Sequence, residues 1–248
     1  MNVLKKLYDK SKIWFAIVWI IAYCVLMSVG DALSEMIGIE KLITFPIGLL
    51  LSVILLVFLK KNGLFRDYGF CASTRSDKSM LYYFPILIMM APNILGGFSF
   101  SRSVLEAILY LISMLCVGFL EEIIFRGLLF NAMRKDSLKA AVIVSSVTFG
   151  IGHIINLTNG SGAELIPNLL QVVYATSAGF MFVMMYYKTN SLLGCIIAHG
   201  LFNALGVFVN EEEITTRRNI ETCIFLTVVT ASYAIYIALM KDRVIKKE

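Results

Sequence analysis

Three short stretches carry most of the chemistry this sequence offers. The first is Glu121-Glu122-Ile123-Ile124-Phe125-Arg126, which puts three charges into an otherwise apolar run. The second is Phe149-Gly150-Ile151-Gly152-His153 and the third is His199-Gly200-Leu201-Phe202-Asn203. His153 and His199 are the only two histidines in the chain, and both lie deep among apolar residues beside glycine. An ionisable residue at the centre of a membrane helix costs about 2.5–3.5 kcal/mol on an insertion scale, so such residues mark function before anything else.

Helical geometry gives the charges different roles. Glu122 and Arg126 stand i, i+4 with the acid N-terminal, the favourable order for an intrahelical pair, and read as a structural clamp. Glu121 lies about 100° around the helix and is left for chemistry. Phe149 and His153 share one helix face, as do His199 and Asn203. Gly150, Gly152 and Gly200 lack side chains and allow neighbouring backbones to approach.

A carboxylate with two imidazoles and an amide in a wet cavity suits hydrolysis. The carboxylate and a nearby imidazole take a proton from water, and donors on another helix stabilise the resulting oxyanion. The same trio of Glu121, His153 and His199 is a candidate set of zinc ligands with an open water position. No H-E-x-x-H accompanies it, so zinc stays an alternative.

The elements that must position these groups are membrane helices. The composition is 58% hydrophobic and only 16% charged, with a mean hydropathy of +0.80. Soluble domains average about 45–50% apolar and roughly 25% charged. Eight apolar runs stand out, near 13–30, 42–59, 80–97, 106–125, 139–157, 168–187, 190–209 and 222–240. They are long and lack period-2 alternation, which favours helices over a barrel. The expectation is an all-α, polytopic membrane bundle of about eight helices, forming one integral domain over 1–248. Pro85 and Pro92 predict a kink in the third run, and Pro167 fits the first turn of the sixth.

Loop charge gives an orientation. Lys5, Lys6, Lys10 and Lys12 precede the first run, and Asp31, Glu35 and Glu40 follow it. Lys60, Lys61, Arg66, Arg75 and Lys78 come next, then a loop with Arg102 alone. Arg134, Lys135 and Lys139 are followed by Glu164, and Lys188 by Glu211, Glu212 and Glu213 with Arg217 and Arg218. Lys241, Arg243, Lys246 and Lys247 close the chain. Because cytoplasmic loops collect Lys and Arg, both termini are expected in the cytoplasm. The net charge of +5 is thereby a topology signal, and no nucleic-acid partner is expected. The stretch 60–79 is polar enough to rest on an anionic inner surface. The N-terminal run is longer than a signal-peptide core and no A-x-A site follows, so it reads as a retained helix. Five cysteines without a C-x-x-C pair read as small buried hydrophobes rather than a disulfide or zinc framework.

At 1.5 Å per residue, Glu121, His153 and His199 lie roughly 21, 22 and 15 Å above the cytoplasmic ends of their helices, close enough in depth to meet. The motifs E-E-x-x-x-R, F-x-x-x-H and H-x-x-x-N, in that order, resemble those of the CPBP group, the CAAX protease and bacteriocin-processing (Abi) family of intramembrane proteases, which includes the type II CAAX prenyl endopeptidases. The resemblance covers about 104–208. It implies an eight-helix, glutamate-dependent protease in a cell membrane of bacterial type, with metal dependence left open. It implies Glu121 and His153 activating water, and His199 and Asn203 serving the oxyanion, with Glu122, Arg126 and Phe149 in support. The substrate would be a membrane-associated peptide or protein reaching the site from the bilayer or its cytoplasmic edge. Two other readings fit the same residues: a non-catalytic scaffold or bacteriocin-immunity protein on this fold, and a proton-coupled transporter with Glu and His as relay.

Overall fold

A computed structural model describes residues 2–95, 99, 102–159, 164–209 and 215–241. The acidic run Glu211–Glu213 and the tail cations Arg243, Lys246 and Lys247 lie outside these residues. Among the described residues the regular elements are all helices, with no β-strand. In chain order the α-helices are α1 (Asn2–Lys10), α2 (Lys12–Ile37), α3 (Thr44–Lys61), α4 (Phe84–Met89), α5 (Ala91–Leu95) and α6 (Val104–Glu121). A π-helical segment, Glu122–Phe130, continues α6, followed by α7 (Asn131–Met133) and α8 (Leu138–Gly152). Then come α9 (Leu165–Thr189), α10 (Leu193–Leu205) and α11 (Thr216–Leu239).

Six of the stretches are long and apolar enough to cross a membrane: Lys12–Ile37, Thr44–Lys61, Val104–Met133, Leu138–Leu157, Leu165–Thr189 and Thr216–Leu239. Leu193–Phe208 is a shorter apolar helix where the seventh run was expected. Ile21, Val25, Leu50, Val53, Ile108, Val228 and Ile235 point outward and exposed, as lipid-facing side chains must. The result is an all-α membrane helix bundle.

The third run departs from its expectation. In place of one kinked helix, Leu81, Tyr82 and Tyr83 take left-handed backbone angles, with φ of 52°, 50° and 57°. Pro85 then opens α4, where its missing N–H needs no partner, and Pro92 stands at the second position of α5. Neither fragment is long enough to cross a bilayer by itself. Pro167 sits in the first turn of α9, as the spacing suggested. The basic start is also helical, as α1, with Lys5 paired to Asp9 on its exposed face.

The bundle has two chemically distinct ends. At one, the 62–80 loop is stitched to the turn before α10 and to the end of α11. Thr74 N–H donates to Thr189 O at 2.8 Å, Ser191 Oγ to Cys71 O at 2.7 Å and Arg75 Nη2 to Lys241 O at 2.6 Å, while Lys188 Nζ of α9 donates to Met240 O at 2.6 Å. This end carries the lysine- and arginine-rich loops. At the other end Arg102 Nε pairs with Glu40 at 2.6 Å and Lys41 with Asp31 at 2.8 Å. Asn93 Nδ2 donates to Phe202 O there at 2.8 Å. All five cysteines are free thiols.

Candidate active site

Glycine sets how closely the site helices pack. A Cβ on Gly118 of α6 would lie 2.6 Å from the Gly200 Cα of α10. The two backbones therefore touch one residue from His199 and three from Glu121. A Cβ on Gly150 would lie 2.8 Å from Thr176 Cα of α9, which seats the end of α8. The close approach expected at Gly152 does not occur: a Cβ there meets nothing within 4 Å, because Gly152 faces open space.

Glu121 closes α6, and Glu122 and Arg126 ride on the π-helical segment. Short π stretches are rare and recur at functional sites. Ser145 Oγ of α8 donates to the Phe125 carbonyl inside it at 2.8 Å, supplying a side-chain partner in the irregular register.

The clamp read from the sequence is present. Arg126 Nη1 donates to Glu122 Oε1 at 3.0 Å, and both side chains are fully buried. The guanidinium lies 4.1 Å from the Phe149 ring centroid and 5.4 Å from that of Phe182, so two aromatic faces enclose it. Arg126 Nε and Nη2 have no hydrogen-bond partner, which makes the rings and Glu122 its compensation for lost water.

Glu122 also has a partner the sequence did not supply. His199 Nδ1 stands 2.8 Å from Glu122 Oε1, the same oxygen that receives Arg126. The other ring nitrogen, Nε2, stands 3.3 Å from Glu121 Oε2. That contact lacks hydrogen-bond alignment, and Glu121 Oε2 is otherwise unpartnered. His199 thus bridges the two adjacent glutamates. Its ring stacks on Phe182 with centroids 5.4 Å apart and an interplanar angle of 16°, and meets Phe149 edge-on at 5.6 Å. Phe149 also meets His153 edge-on at 5.4 Å, so one ring separates and orients both imidazoles.

Glu121, His153 and Asn203 line one cavity of about 370 Å³, together with Tyr23, Phe149 and Gln171. A smaller pocket of about 50 Å³ brings His153, His199 and Asn203 together behind it. His153 caps the C-terminal end of α8, and its carbonyl accepts from Asn168 Nδ2 at 2.8 Å. Tyr23 of α2 is the member sequence reasoning missed. Its hydroxyl donates to Glu121 Oε1 at 2.8 Å across 98 residues. The available signal was a lone phenol within the first apolar run, too common a feature to single out.

For a metal, the donors must converge. Among the described residues no group of three or more His, Cys, Asp or Glu is gathered to hold an ion. Both nitrogens of His199 face carboxylates, one of them taken by Arg126 as well. Glu121, His153 and His199 are not gathered as a ligand set among the described residues, and the chemistry below is built from the side chains alone.

Comparison with known proteins addresses the same segment. Residues 103–205 match the family model described as type II CAAX prenyl endopeptidase Rce1-like. A protein of Bacillus subtilis (strain 168) named "Putative membrane peptidase YdiL" is 30% identical over 108 residues, 43% of this chain. The matched stretch spans 39% of that relative's length. Every candidate site residue except Tyr23 lies within 103–205, and both findings support the CPBP, Rce1-like family for the segment that carries the site.

Proposed function

We propose, from the Rce1-like character of residues 103–205 and the geometry around Glu121, that this chain is an intramembrane endopeptidase. The observation that carries the reading is the convergence of Glu121, His153 and Asn203 on one cavity inside the bundle. A carboxylate, an imidazole and an amide from three helices around enclosed space are the parts amide hydrolysis needs.

In the proposed reaction a water in the cavity lies between Glu121 and His153. Glu121 takes one of its protons as the water oxygen attacks the carbonyl carbon of the scissile amide. A C–O bond forms and the carbonyl oxygen becomes an oxyanion, to which Asn203 donates. Glu121 then passes the proton to the departing nitrogen, the C–N bond breaks, and a carboxylic acid and an amine leave. Tyr23 donates to one oxygen of Glu121 while the His199 ring stands 3.3 Å from the other, and the two set its direction. With both its nitrogens facing glutamates, His199 suits this positioning task better than the oxyanion role first expected of it. Glu122 and Arg126 hold His199 in turn.

The test is peptide mass spectrometry of membranes bearing the wild-type chain against Glu121→Gln. The near-isosteric variant should fold and lose about 100- to 10,000-fold in turnover, the range for a general base. Undiminished cleavage by folded Glu121→Gln protein would move the reading to a non-catalytic scaffold.

A further inference from the structure

The cavity has a direction. The chain passes between the two ends of the bundle along α2, α3, α4 with α5, α6 with its π-helical extension, α8, α9, α10 and α11 in turn, and beyond the middle of the bundle the cavity lining comes from one end alone. Asp31 is at the far end of α2, Lys41 in the turn after it, and Asn93 in α5. Asn159 follows α8 and Gly206 follows α10. All belong to the end where Lys41 pairs with Asp31 and Arg102 with Glu40. No residue of the 62–80 loop, the 134–139 turn or the 188–192 turn lines the cavity.

The opposite end has its own depression, about 680 Å³, and a different chemistry. Lys12, Arg66, Arg134 and Lys135 line it, with Asp67 as the only acid among its lining residues. Lys and Arg concentrate on cytoplasmic loops, and juxtamembrane cations are drawn to the anionic inner leaflet. The basic end is therefore the cytoplasmic one, whichever activity the chain has.

We infer that the cavity holding Glu121, His153 and Asn203 opens on the extracytoplasmic face, and that its substrate is a peptide segment presented there, whether a released peptide or the external stretch of a membrane protein. This reverses the cytoplasmic edge expected from sequence. The orientation stands on the charges and the lining, while the identity of the occupant rests on the peptidase reading. Apart from the paired Asp31 and Lys41, the mouth is lined by neutral polar side chains, Asn93, Asn156 and Asn159 among them, a lining without unpaired charge that suits a neutral peptide backbone.

Labelling decides the orientation without any turnover. In the full chain carrying Cys24→Ser and Cys71→Ser, single reporters are introduced and treated with a membrane-impermeant charged maleimide. Gly152→Cys reports the cavity, since a Cβ there meets open space, and Ser28→Cys is a second cavity reporter. Lys78→Cys reports the basic end. On intact cells both cavity cysteines should label and Lys78→Cys should not, with the pattern reversed in inverted vesicles. Labelling of Lys78→Cys on intact cells, or of the cavity cysteines only in inverted vesicles, would overturn the inference. Protection of both cavity cysteines from both sides in folded protein would overturn it too, by showing no aqueous mouth. Peptides are then compared between wild type and Glu121→Gln. Glu121-dependent products in the medium indicate a released substrate, and products retained on the outer face indicate a membrane protein. Products confined to the cytoplasmic side would overturn the substrate assignment. An absence of any Glu121-dependent product alongside external labelling would sink the peptidase reading and leave the orientation standing.

Discussion

Arg126→Ala is the most informative single perturbation of the buried charges. Arg126 is fully buried, 3.0 Å from Glu122, and enclosed by the rings of Phe149 and Phe182. Its removal leaves the Glu122 carboxylate, also fully buried, with His199 as its remaining partner. Breaking a buried pair by deleting one member costs about 3–5 kcal/mol. Loss of the cation–π contacts adds on the order of 0.5–2 kcal/mol. At about 1.4 kcal/mol per tenfold, the unfolded fraction rises by at least about a hundredfold. Thermal unfolding in detergent, followed by the amount of monodisperse protein, reads this directly. A double variant, Glu122→Gln with Arg126→Met, removes both charges and should be more stable than Arg126→Ala, because no uncompensated carboxylate remains. The amide oxygen of the new glutamine still accepts from His199. Arg126→Ala protein with a wild-type unfolding midpoint and no turnover would refute the reasoning and move Arg126 into the chemistry.

Other outcomes follow from the same geometry. Tyr23→Phe removes the hydroxyl that holds Glu121 Oε1 at 2.8 Å. Hydrogen bonds to charged groups contribute about 1.5–3 kcal/mol, so the variant should fold and lose roughly ten- to a hundredfold in turnover, and an unchanged rate would remove Tyr23 from the site. Asn203→Ala should lose about 100- to 1,000-fold in kcat with little change in substrate affinity, and a loss confined to KM would contradict an oxyanion role. Gly118→Ala places a Cβ 2.6 Å from Gly200 backbone, which cannot yield as a side-chain tip can. It should cost about 1–3 kcal/mol and shift His199 from Glu121. Gly152→Ala, with nothing within 4 Å of the new carbon, should leave the unfolding midpoint unchanged. Equal stability of the two alanine variants would show that the α6–α10 contact is looser than described.

What the sequence made legible was what local rules govern. Three charges in six residues of an apolar run announced their own importance, and i, i+4 spacing was enough to pair Glu122 with Arg126. Glycine beside His199 signalled close helix packing, and Gly200 does meet Gly118. Where only composition supported a reading, the structure diverged. The run 80–97 is apolar enough for a helix, but Leu81–Tyr83 break it ahead of Pro85. A glycine's reason is equally invisible locally: Gly150 is pressed on Thr176, whereas Gly152, two residues on, borders the cavity.

The limit is clearest at Glu122. Its local partner is four residues away and its second partner, His199, is 77 residues away. Both use the same carboxylate oxygen, so the clamp and the reactive carboxylate are not separate devices. Contacts run from Arg126 through Glu122 and His199 to Glu121, and from Glu121 to Tyr23. Helix periodicity sorts Glu121 and Glu122 onto different directions, and from that alone one acid looks structural and the other chemical. A bridging imidazole needs just that divergence: Nδ1 and Nε2 point to different sides of one ring and reach two carboxylates only if these diverge too. The adjacency of the two glutamates then follows from what His199 must span, and the aromatic faces of Phe149 and Phe182 keep the ring from turning away from either.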